Sequence, residues 1–141
     1  MTLYLDTSLL VAALTKEAAT SRIQAWLGKQ EAGSLVISDW VTTEFSSALS
    51  MKLRARHIQA VHRADALAMF TRLIADSLTI LPVSGLQFRT AALFADQHTL
   101  GLRAGDALHL AICADYGTTP CTLDRRLGEA GPMLGVKTLL P

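Results

Sequence analysis

Short apolar runs, each closed by a carboxylate or hydroxyl residue and followed by a helical stretch, recur along this whole chain. Leu3–Leu5 closes on Asp6, and Leu35–Ile37 closes on Ser38. Thr79–Val83 closes on Ser84, and Thr119–Leu123 closes on Asp124. Short runs of this kind read as strands covered on both faces. Between them, apolar residues return at helical spacing. Ile23, Trp26 and Leu27 mark a helix over 18–30, Val41, Phe45, Ala48 and Leu49 mark one from Asp39 to Arg54, and Ile58, Val61, Leu67, Phe70 and Ile74 mark a long third. Thr7–Leu14 also reads as helical. Ser84 caps a helix to about His98, Gly101–Gly105 is a loop, and Asp106–Tyr116 is a helix stopped by Gly117. A short helix follows Asp124, and Val136–Leu139 is expected as a last strand. Strands that alternate with helices are joined by crossovers, which makes neighbouring strands parallel. The expected architecture is therefore α/β: one domain over residues 1–141, with a central, mostly parallel sheet flanked by helices.

Composition narrows the function. The chain has 141 residues and 50% apolar content, enough for one sizeable core and too much for a disordered tail. Thirteen Lys and Arg oppose twelve Asp and Glu, a net charge of +1, so any nucleic-acid surface must be a local patch. Cys113 and Cys121 are the only cysteines and have no CxxC spacing, which argues against a disulfide framework or a zinc site. The opening MTLYLD has no basic segment before an apolar one, and no long uncharged apolar run follows; a cytoplasmic protein without membrane spans is expected. High apolar content on a small chain also points to surface covered by a partner.

The positions of four acids carry the chemistry. Asp6 and Asp124 end strands, Asp106 opens a helix, and Glu44 lies early in the helix after the second strand. In a parallel α/β sheet, strand carboxyl ends and the helix N-termini after them share one edge, where ligands bind. Converging carboxylates repel one another unless a cation lies between them. An all-oxygen donor set selects hard ions, Mg²⁺ or Mn²⁺, which suit phosphoryl displacement. Each Asp could equally be an ordinary helix cap. Glu44 does not fit a capping box and lies beside the core stripe, where a carboxylate needs a partner.

At these residues the chain resembles a known family. YLDTSLL (Tyr4–Leu10), TTEF (Thr42–Phe45), AGDALHLA (Ala104–Ala111) and TLDRRL (Thr122–Leu127) are similar to the four acidic motifs of PIN-domain ribonucleases, above all the VapC-type toxins of bacterial toxin–antitoxin pairs. The resemblance implies a Rossmann-like parallel sheet and a Mg²⁺- or Mn²⁺-dependent endoribonuclease. It also implies a homodimer, inhibited by a cognate antitoxin whose tail enters the acidic pocket. Asp6, Glu44, Asp106 and Asp124 match the catalytic, metal-binding acids. Ser8 and Thr122 match hydroxyl positions beside them, and His109 stands where the family often carries a histidine.

Other residues are less specific. His109 shares a helix face with Asp106, which suits an acid or an ordinary structural histidine. Asp96 and Asp115 lie late in their helices, an unfavourable end for ligand carboxylates. Lys52, Arg54 and Arg56 lie in the densest basic stretch and, with Arg125 beside Asp124, are candidate RNA-phosphate contacts. Two other readings compete: a different Mg²⁺-dependent phosphoryl-transfer hydrolase, or a non-catalytic module whose acidic pocket binds a basic partner. The sequence shows no DxD after the first strand and no Gly-rich phosphate loop.

Overall fold

The structure is a computed structural model that describes residues 1–141. It contains four strands, seven α-helices and one 3₁₀ turn. In chain order these are β1 (Leu3–Leu5), α1 (Thr7–Leu14), α2 (Thr20–Gly28), β2 (Leu35–Ser38), α3 (Asp39–Arg54), α4 (Ala60–Asp76), β3 (Thr79–Leu81), α5 (Gly85–Asp96), the 3₁₀ turn His98–Leu100, α6 (Ala104–Tyr116), β4 (Thr119–Cys121) and α7 (Arg125–Met133).

The sheet order is β3-β2-β1-β4, and every pairing is parallel. Leu3 pairs with Leu35 on one side and Thr119 on the other, so β1 is central. The chain steps outward from β1 to β2 and β3, then returns to the opposite flank as β4. This reversal beside β1 is the switch point at which parallel sheets open a crevice. β1 and β2 are buried along their whole length, as their unbroken apolar runs require, whereas edge strand β3 is largely exposed. Helices close both faces. Phe45 of α3 stacks on Phe70 of α4 with ring centroids 4.4 Å apart, and the inner residues of α6 from Ala107 to Cys113 are all buried.

Several boundaries differ from the sequence expectation. The expected strand over Val136–Leu139 is one bridge, Leu139 to Cys121. The chain leaves α7 through Gly135, whose φ is +80°, and returns to β4 only at Leu139. The helix expected to reach His98 stops at Asp96; the 3₁₀ turn follows, ended by Gly101 at φ +66°. The loop expected over Gly101–Gly105 is shorter, because α6 begins at Ala104. Asp106 therefore sits at the third helical position, with its carboxylate returned to the Arg103 N–H. Gly117 does stop α6, in the left-handed region at φ +69°.

Candidate active site

Asp6 follows β1 directly and is 3% exposed. Its carboxylate is held from three sides. Ser8 Oγ donates to Oδ1 at 2.6 Å, Thr122 Oγ1 donates to Oδ2 at 2.5 Å, and the Leu9 N–H donates to Oδ1 at 3.2 Å as an N-cap bond. Burial pushes this carboxyl above its ordinary value, against the opposing pull of His109 and the two hydroxyls. The hydroxyls also tie Asp6 to the end of β4, since Thr122 Oγ1 accepts from the Asp124 N–H and Ser8 Oγ accepts from the Leu123 N–H. Asp124 caps α7 with one oxygen, Oδ1, which accepts from Arg126 and Leu127. The cap reading of Asp6 and Asp124 thus holds, and it leaves a functional role open.

Glu44 comes from α3 and Asp106 from the first turn of α6. Glu44 Oε1 takes two donors, Thr7 Oγ1 at 2.7 Å and His109 Nε2 at 2.5 Å. Burial alone would raise Glu44, but His109, through its hydrogen bond and its charge, and Thr7 outweigh that and hold the carboxyl below its ordinary value. Oε2 faces the backbone of α6: a Cβ on Gly105 would lie 2.6 Å from it and 3.4 Å from Trp40 Nε1. Trp40 Nε1 is itself buried without a hydrogen-bond partner. Burial raises Asp106, and the nearby Asp124 carboxylate raises it further.

Asp106 thus lies within reach of the charges of both Asp124 and Glu44, and Asp6 is joined to Asp124 through Thr122. Lys52–Glu17 is the only Lys or Arg ion pair in the molecule, and His109 contacts Glu44, so no cationic side chain pairs with Asp6, Asp106 or Asp124. As the side chains stand, no three His, Cys, Asp or Glu residues form a closed metal cage. The donor set nonetheless fits a hydrated divalent ion. Mg²⁺ characteristically retains several waters and takes only one or two carboxylates directly.

Residues 3–131 match the PIN domain family model. The chain belongs to the PIN-domain family. This PIN domain is similar in fold to solved structures of about its own size. VapC20 of Mycobacterium tuberculosis, described as a sarcin-ricin loop cleaving toxin, is 18% identical with a TM-score of 0.75, over 92% of this chain and 95% of that one. FitAcB from Neisseria gonorrhoeae is 18% identical with a TM-score of 0.70, over 99% and 97%. VapBC2 from Rickettsia felis, bound to a promoter DNA fragment, is 15% identical with a TM-score of 0.67, over 98% and 97%. At such identities the likeness is one of fold. No curated protein matches the sequence.

Within this PIN domain the other candidate residues fall in different places. His109 is 3% exposed and bonded at both nitrogens. Arg125 is exposed on the first turn of α7, next to Asp124. Arg54 and Arg56 are exposed at the far end of α3. At 1.5 Å per residue, Lys52 lies about 12 Å along the α3 axis from Glu44, and it is paired with Glu17 at 2.7 Å. Asp96 is exposed, and Asp115 accepts from Gln87 Nε2 at 2.8 Å. Sequence reasoning missed Thr7, Trp40 and Gly105. A TxxxE-type signal does not exist for a contact between α1 and α3, and only the packing reveals it. No helix is long and apolar enough to cross a membrane.

Proposed function

We propose that this PIN domain is a Mg²⁺- or Mn²⁺-dependent endoribonuclease, the toxin of a toxin–antitoxin pair, with Asp6, Glu44, Asp106 and Asp124 as its catalytic and metal-binding acids. The observation that carries the reading is that Asp106, at the start of α6, feels the charges of both Asp124 and Glu44, while Asp106 and Asp124 have no Lys or Arg partner. A bound divalent ion supplies charge neutralisation and an activated water for displacement at phosphorus. The chain's own residues arrange the donors. Ser8 and Thr122 lock Asp6 in one rotamer, while Thr7 and His109 occupy Glu44 Oε1 and leave Oε2 beside the Trp40 indole N–H. The α7 cap fixes Asp124 with one oxygen uncommitted. Such outer contacts keep carboxylates aligned at little entropic cost when a metal arrives. Arg125 stands beside the acids as a contact for substrate phosphate.

The test is cleavage of a single-stranded or looped RNA by the purified protein. Cutting occurs with Mg²⁺ or Mn²⁺, stops in excess EDTA and returns when Mn²⁺ is restored. Undiminished cutting in EDTA overturns the reading.

The partner proposals follow from the same reading. A cognate antitoxin, identified by co-purification, covers the acidic pocket; the likeness in fold to FitAcB and VapBC2 supports this class of partner. Leu86, Phe88 and Leu93 stand exposed on α5 and support a homodimer. RNA binding through α3 has a separate expected result. Replacing Arg54 and Arg56 with Gln weakens affinity and flattens the plot of log affinity against log salt by about 1.4, two phosphates at roughly 0.7 each for single strands. Lys52→Gln adds less, because Glu17 already engages that ammonium. An unchanged slope removes this patch from the RNA interface.

A further inference from the structure

Next to the acids, the 3₁₀ turn and α7 border a cavity of about 360 Å³ that the metal site does not use. A space of this size lies at the lower end of small-molecule pockets. Leu100, Ala130 and Met133 line it with apolar groups, and Arg126 and Glu129 with charged ones. Met133 is 73% exposed, an apolar side chain left uncovered there.

Arg126 is held as a plate. A Cβ on Gly101 would meet its Cδ, Nε and Cζ at 3.4, 3.5 and 3.7 Å, near-equal distances that set one face of the guanidinium end against Gly101. Nη1 donates to the Gly101 carbonyl at 3.1 Å. The opposite face is left for the cavity that Arg126 lines. Glu129 follows Arg126 by three residues and Arg125 by four, spacings at which opposite charges on a helix pair. Neither arginine pairs with it, since Lys52–Glu17 is the only contact of a Lys or Arg with an acidic side chain. A carboxylate with no cation partner therefore lines the same cavity as a flat cation.

The surroundings suit a polyanion. Arg103 precedes α6, and Arg125 and Arg126 open α7, so three exposed arginines stand on the segments that carry Asp106 and Asp124. At 1.5 Å per residue, Arg126 and Glu129 lie about 3 and 7.5 Å along α7 from Asp124. That places them beside any phosphate held at Asp124. Unstacked RNA bases are characteristically bound on guanidinium planes and read on their pairing edges.

We propose that this cavity is a guanine subsite for the RNA strand, with Arg126 stacked on the base and Glu129 reading its pairing edge. Guanine presents two adjacent donors there, N1–H and the exocyclic amino group, which match the two oxygens of a carboxylate. Adenine and cytosine set one amino group beside a ring-nitrogen acceptor, and uracil sets one N–H between two carbonyls, so each turns an acceptor toward Glu129. The phosphate neighbour of the subsite rests on the nuclease reading; recognition of the base needs no metal.

The test is fluorescence anisotropy of pentauridylate carrying one central guanine, inosine, adenine or cytosine. It is run in EDTA, where the proposed nuclease does not cut, and at low salt, where phosphate contacts are strongest. The guanine RNA binds about 10-fold more tightly than the adenine and cytosine RNAs. Inosine, which lacks the amino group, falls between them. In Glu129→Gln the guanine advantage drops below about twofold, because the amide offers only one acceptor. Arg126→Lys keeps the charge but not the plate, and weakens the guanine RNA about 10-fold. Equal affinity for all four RNAs, no binding to any, or a guanine preference intact in Glu129→Gln overturns the subsite. Cutting with Mn²⁺ is scored separately. A protein that cuts without base preference retains the nuclease reading and loses the subsite, and one that binds guanine RNA without cutting does the reverse.

Discussion

Without divalent metal, Asp106→Asn melts at or above the wild-type temperature, while RNA cleavage falls by about 100-fold or more. Burial raises the Asp106 carboxyl, and Asp124 raises it further, so the ionised form is disfavoured in the folded chain. A folded pKa above the unfolded one gives stability that is complete below the unfolded value, near 3.8, and lost as pH rises through the folded value. At neutral pH the wild type therefore carries a destabilising charge that Asn removes. Asn keeps an oxygen for the Arg103 N–H, so the helix start survives. The lost favourable charge at a helix N-terminus offsets part of the gain. With solvent screening of a half-exposed group, the net is about 0–1 kcal/mol in favour of the variant. Any such advantage at neutral pH shrinks to nothing as the pH falls toward the unfolded carboxyl value. Metal reverses the ranking. Mn²⁺ at about 100-fold over its Kd stabilises the wild type by about 2.7 kcal/mol, and the variant responds by less than half of that. Outer contacts of metal sites are worth about 10–100-fold, so losing a direct carboxylate costs at least the upper figure. Melts with EDTA and with Mn²⁺ at two pH values check this. Equal metal-induced shifts in both proteins remove Asp106 from the site.

Gly105→Ala gives the opposite signature: little change in stability, and cleavage reduced by about 100-fold. The added Cβ falls 2.6 Å from Glu44 Oε2, and reaching ordinary contact near 3.4 Å requires a shift of about 0.8 Å. The obstructed atom is the end of a side chain, so the backbone of α6 need not move, and the helix propensity of Ala, about 0.5–1 kcal/mol over Gly, offsets part of the strain on Glu44. Glu44, however, is held by Thr7 and His109 on its other oxygen, so the displacement strains the bonds that orient it. Misplacing a catalytic group by about 1 Å costs on the order of 100-fold. Gly28→Ala is the control: nothing lies within 4 Å of its new methyl, and it sits in α2 away from the acids. Melting and cleavage rates for the two variants check the contrast. Full activity in Gly105→Ala means that Glu44 Oε2 takes no part in the reaction.

Much of this could be read from residues in order. The apolar runs located β1 and β2, because strands covered on both faces are built mainly of apolar residues. Gly117 marked the end of α6, because a positive φ at a helix C-terminus suits glycine. Asp6 directly follows β1, and Asp124, expected at the end of a strand over Thr119–Leu123, follows β4 after two residues because β4 stops at Cys121; parallel topology places both on one edge. Motif order and spacing carried the family resemblance, which the match over residues 3–131 establishes. Val136–Leu139 is not a strand, since apolar character over that segment does not say whether a preceding turn lets it lie along β4; it reaches β4 at one residue. α6 starts before Asp106 because Gly105, which reads as a breaker in sequence, is in the structure the helical residue that leaves room for Glu44.

What the chain order determined by itself was an alternating α/β fold and a set of acids at one edge of its sheet, since periodicity and strand polarity are local properties. What only the tertiary structure decided was how each acid is held. His109 meets Glu44 across 65 positions, Tyr4 meets His109 across 105, and Thr122 meets Asp6 across 116. Hydrogen bonds of about 2.5–2.8 Å depend on atoms brought together by the packing of separate elements, and no spacing along one element encodes them.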